Sequence, residues 1–114
     1  MIFEAIVLML NNISANSVFY KKALKLEGAV TFNHIAMKCV YEMFMNIISE
    51  KSTGKKSKYR WLTPEVISTY YAQSLCFITE GWIAQGMDDI EPKEMAEAYM
   101  YLITRSMDDI LSEL

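Results

Sequence analysis

A short connection between two amphipathic segments, Gly86 to Pro92, constrains this chain more than any other stretch of its sequence. The run before it, ending at Trp82 and Ile83, is apolar with helical spacing, and Gly86 supplies a residue able to take the left-handed conformation that closes a helix. Asp88 and Asp89 offer turn-forming side chains. Pro92 suits the first turn of a new helix, with Glu91 and Glu94 favourable to its positive end. So few connecting residues force the two helices into an antiparallel hairpin.

The rest of the chain carries the same period. Hydrophobic residues make up 53% of 114 residues, with only four glycines and two prolines, so disorder and a β-sandwich are both excluded. The reading is all-α: an antiparallel bundle of about five helices forming a single domain over residues 1–114.

Residues 2–13 form a helix apolar nearly all the way round, which demands burial on more than one side or a missing neighbour. After capping residues Ser14, Asn16 and Ser17, Val18 to Leu26 form a second short helix ended by Gly28. From Val30 to Glu50, Phe32, Ile35, Cys39, Val40, Phe44 and Ile47 trace a buried face, opposite His34, Lys38, Glu42 and Asn46. Lys51 to Arg60 holds five positive charges and reads as a mobile surface loop.

Thr63 and Pro64 open a long helix to Gln85, and a last helix runs from near Glu91 to the end. Each carries two apolar stripes and wants two buried surfaces. A hairpin this apolar leaves an exposed patch in a monomer, and self-association through a two-fold four-helix bundle covers it. The candidate interface residues are Phe77, Ile78, Trp82, Met100, Ile103, Met107 and Leu111.

The net charge of -3 hides a division, because residues 80–114 hold nine acids against Lys93 and Arg105. Such a face does not grip a nucleic-acid backbone. Cys39 and Cys76 form no C-x-x-C pair and read as reduced core thiols, which suits a cytoplasmic protein. The Ile2 to Leu10 run is too short to span a bilayer, so no membrane partner is expected. His34, the single histidine, sits on a polar stripe; with the cysteines it supplies no zinc pattern, and no metal or cofactor is expected. The serines lack a legible His and Asp set, so the chain does not read as an enzyme.

Two segments carry a family resemblance. W-I-A-Q-G-M from Trp82 to Met87, followed by P-K-E-M-A-E from Pro92 to Glu97, resembles the final two helices of TetR family transcriptional regulators. F-Y-K-K-A-L-K-L-E-G, Phe19 to Gly28, is similar to the start of the regulatory domain in the branch that includes regulators of dihydroxyacetone kinase genes. The resemblance implies a TetR C-terminal-domain-like fold, a homodimer formed by the last two helices, and a small, often apolar effector held inside. Met37, Tyr41, Phe44, Met45, Tyr70 and Tyr71 are the candidate lining, or else plain core filling.

Family members contact DNA through an N-terminal helix-turn-helix head. Residues 1–13 lack its basic turn and recognition helix, so the expected product is a headless effector-binding and dimerisation domain that reaches DNA only through such a head. The alternative is a stand-alone helical protein that pairs with a full-length regulator. Phe77 departs from the family, whose members often carry a small residue near that helix crossing.

Overall fold

A computed structural model describes residues 2–52, 54 and 58–114, leaving out the side chains of residues 26–33 and 35. The described residues form five α-helices and no strand: α1 (Ile2–Ala15), α2 (Ser17–Lys51), α3 (Pro64–Ala84), α4 (Pro92–Thr104) and α5 (Met107–Glu113). No single helix among them is long and apolar enough to cross a membrane.

Two boundaries differ from expectation, and their effects on the helix count cancel. Where a break was expected at Gly28, α2 continues as one helix of 35 residues. An interior glycine costs a helix only about 1 kcal/mol, less than a long packed face returns, and α2 has such a face against α3. Conversely, the expected single last helix is interrupted. Arg105 leaves helical geometry at φ -108°, ψ 149°, and the Ser106 hydroxyl accepts from the Asp109 amide at 3.1 Å to start α5. Asp108 and Asp109 then sit in a first turn, where their charge favours the helix dipole.

The other signals act where they were read. Thr63 caps α3 by accepting from the Val66 amide at 3.2 Å, with Pro64 as first helical residue. At the far end Gly86 takes φ 101° and Met87 follows at φ 62°, so two left-handed residues reverse the chain. Trp82 closes this turn from inside: its indole Nε1 donates to the Ile90 carbonyl at 2.9 Å, and its ring is buried.

The helices pack as two pairs, α2 against α3 and α1 against α4. Phe44 of α2 meets Tyr71 of α3 with ring centroids 5.8 Å apart. From α1 come Ile6, Leu10 and Ile13, all buried, while α2 leaves α1 with an 82° bend at Asn16. Besides the packing of α1 on α2, Tyr99 of α4 ties one pair to the other. Its ring is 1% exposed, its hydroxyl donates to the Tyr71 carbonyl at 3.0 Å, and it lies 2.8 Å from Ser74 Oγ, which itself donates to Tyr71. Burial pushes the phenol up to about 12, so it stays protonated and available to donate. Trp82 meeting Ile90 and Tyr71 meeting Tyr99 show α3 and α4 running antiparallel, as the short turn requires.

Tyr99→Phe keeps the ring and removes the hydroxyl while leaving Ser74 on the Tyr71 carbonyl, so it should cost about 1 kcal/mol, against about 3 to 5 kcal/mol for Tyr99→Ala. Urea unfolding of both variants measures the difference.

Candidate interface and interior face of α3

Helix α3 has two distinct long faces. Ser68, Ala72, Leu75, Cys76, Thr79, Trp82 and Ile83 are buried, at the three-four spacing of one helical side. Small residues at Ser68, Ala72 and Cys76 let α2 come close. On the opposite side Tyr70, Gln73, Phe77, Gly81 and Ala84 are all exposed. Tyr70 is 68% and Phe77 78% exposed, values at odds with their apolar area unless something covers them.

Gly81 sits inside this outer stripe, in the body of a helix, where glycine is unfavourable by about 1 kcal/mol relative to alanine. A Cβ built there meets nothing within 4 Å. Its own subunit therefore gives no steric reason for the glycine.

The expected interface residues divide between surface and interior. Phe77, Met107 and Leu111 are strongly exposed, and Ile78, Met100 and Ile103 are half-buried and packed against the core. Trp82 is enclosed within its own chain by the hydrogen bond to Ile90, so it supports the hairpin from inside and presents no outer surface. Helix α5 is held to α4 by Tyr101, whose hydroxyl donates to Glu113 Oε2; that bond raises the phenol above its ordinary value. Arg105 lies over the Tyr101 ring at 5.2 Å.

The expected lining also divides. Phe44 is buried against Tyr71, and Met37 and Tyr41 pack half-buried on the same cluster. Met45 is half-buried, and Tyr70 turns to the outer face, touching Tyr71 edge-on at 5.2 Å. Sequence pattern could not separate Tyr70 from Tyr71, since adjacent tyrosines are equally apolar and only the packing of α2 selects one.

Among the described residues, three buried polar atoms on α3 have no hydrogen-bond partner: Ser68 Oγ, Thr79 Oγ1 and Glu80 Oε1. Buried polar atoms are normally satisfied by protein, water or ligand. Loss of solvation raises the Glu80 carboxyl above its ordinary range. One turn earlier, Cys76 is pushed up to about 11 by its burial, with Glu80 and Cys39 adding to the effect, so it is a neutral thiol. Cys39 itself is exposed, contrary to the expectation of two core thiols.

His34 is exposed, as are Lys51, Lys58, Tyr59, Arg60 and Trp61; Lys55 and Lys56 lie outside the described residues. Tyr59 and Trp61 are exposed in a segment whose sequence is dominated by positive charge. A separate shallow groove between α1 and α4 is lined by Phe3, Glu4, Val7, Leu8, Asn11 and Lys93. Among the described residues, no cluster of three or more His, Cys, Asp or Glu side chains could hold a metal.

A carboxyl whose folded value is raised binds its proton more tightly when folded, so stability at this site falls as pH rises above the unfolded carboxylate value near 4.5. Glu80→Gln should therefore flatten the pH dependence of stability through that range and raise stability at neutral pH. Thermal unfolding of both proteins between acid and neutral pH reports the slope.

Residues 2–105 match the family described as Transcriptional regulator C-terminal region. No curated protein and no solved structure matches the chain.

Proposed function

The chain belongs to the TetR-type transcriptional regulator C-terminal region family, and on that premise we propose that it is the effector-binding and dimerisation domain of such a regulator. Family membership points to regulation and away from catalysis. The one observation that carries the dimerisation reading is the outer face of α3, where Tyr70 and Phe77 are exposed beside the unexplained Gly81.

In this reading two copies meet through the hairpin. Phe77, with Ile78, Met100 and Ile103 behind it and Met107 and Leu111 beyond, supplies the apolar contact area. Effector binding uses the other face of α3, between α2 and α3. There Met37, Tyr41, Phe44 and Tyr71 offer an adaptable apolar surface. Thr79 and Glu80 offer unpartnered polar atoms that a ligand's own polar groups would satisfy. DNA contact belongs to a head domain of the regulator, and the setting is the cytoplasm.

Sedimentation velocity on the full chain tests the first half: a dimer is expected, and a monomer at tens of micromolar would refute it. Phe77→Glu should weaken the dimer by about 100-fold or more, since it would bury an unpaired charge, while circular dichroism stays unchanged because Phe77 is exposed in the subunit. Native mass spectrometry of the purified dimer tests the second half by weighing any small molecule carried between the helices.

A further inference from the structure

Glu80 is a half-buried acid that its own subunit does not compensate. One carboxyl oxygen, Oε1, is enclosed without a hydrogen-bond partner, and burial alone accounts for the raised carboxyl, with no cation contributing. Taking a carboxylate out of water without a donor or an opposite charge is costly. The adjacent Thr79, 5% exposed, has an unpartnered hydroxyl as well. Two neighbouring polar groups therefore lack the hydrogen bonds that buried groups normally make.

The surroundings define what could supply those bonds. One turn earlier, Cys76 lies close enough to both the Glu80 carboxyl and the Cys39 thiol for them to raise it, so this part of α3 lies beside α2. Phe44 meets Tyr71 further along the same pair. The partners of Tyr71 and Cys76 thus run backwards along α2, from Phe44 to Cys39, and the two helices are antiparallel. That register brings the small Ala36 level with Thr79. From Ala36 to Phe44 the half-buried Met37 and Tyr41 continue an apolar strip, about 12 Å long at 1.5 Å per residue. A polar end joined to an apolar strip fits an amphiphile.

Charge selects the head group of that amphiphile. A neutral hydroxyl or amide could donate to Glu80 but would leave the negative charge uncompensated, and an anionic head would be repelled. A metal ion is a poor fit, because no group of three or more His, Cys, Asp or Glu side chains among the described residues could hold one. An ammonium carries the compensating charge and enough N–H donors for both oxygens.

We propose that the ligand of this site is a small cationic amphiphile, an ammonium on an apolar body, whose N–H groups donate to Glu80 and Thr79 while the body lies along Met37 and Tyr41 between α2 and α3. This rests on the effector-binding reading above and adds the chemical class of the effector.

Calorimetry on the full chain tests it with decylammonium, decanol and decanoate, each below its aggregation concentration. Decylammonium should bind and decanoate should not. Glu80→Gln should weaken decylammonium binding about 10- to 100-fold, and Thr79→Val about two- to tenfold. Thr79→Val should also raise the melting temperature of the unliganded protein, since it removes an unpartnered hydroxyl from the interior. Glu97→Gln, an exposed position on α4, should leave the affinity unchanged, which separates a held ammonium from adsorption to an acidic surface.

Decanoate binding as tight as decylammonium would overturn the proposal. So would decylammonium binding that Glu80→Gln leaves intact, or no decylammonium binding at all. Decanol then separates the two readings: decanol binding that Tyr41→Ala abolishes would keep the effector-binding reading and reject only the cationic head. Failure of all three probes, with no small molecule carried in native mass spectrometry, would sink the effector-binding reading as well.

Discussion

The bundle depends on one buried phenol. Helices α2 and α3 make one packed pair and α1 and α4 another, and Tyr99 spans the space between them with its ring in the core and its hydroxyl on the backbone of α3. Trp82 makes the corresponding contact at the turn, with its ring inside and its indole nitrogen on the Ile90 carbonyl. In both cases an aromatic side chain provides large apolar burial and one directed hydrogen bond. The hairpin is therefore fixed at its turn and about two helical turns further on. Ala96, with no bulk of its own, is buried between these points.

That fixation orients α3. With Ser68, Ala72, Cys76 and Thr79 committed to the interior, the opposite line through Tyr70, Phe77 and Ala84 has no element of the subunit left to cover it. The same helix therefore forms a wall of the core and an exposed apolar surface. The interior side keeps three polar atoms unsatisfied, and the outer side keeps a glycine that its own chain does not need. Each is a local departure from optimal stability, and such departures concentrate where a protein meets something else.

The features legible in the sequence are those decided within a few residues. Thr63 and Pro64 start α3, and Gly86 ends it, because capping depends on local backbone groups. Gly28 misled because a single helix-breaking preference is weaker than the packing of a long helix, and that packing is not written near residue 28. The start of α5 was written locally in Ser106, Asp108 and Asp109, but the apolar spacing continues across it through Met107 and Ile110 and hid the cap. Which stripe of α3 faces inward was also hidden. Trp82 and Phe77 look equally suited to burial, and the choice falls to the small residues that admit α2. The unpartnered atoms at Ser68, Thr79 and Glu80 were beyond reach, since absence of a partner is a property of the assembled fold.

A helix shared by two surfaces makes those surfaces accountable to each other. In the proposed dimer, any molecule that binds against the inner side of α3 and favours one position of it would change how well the outer side meets a second subunit. Thermodynamic linkage requires the reverse effect to be equally large. A dissociation constant measured for such a pair of subunits would then report what occupies the interior. Titrating small molecules against subunit affinity could find the effector without the promoter, the operator or any DNA in the tube.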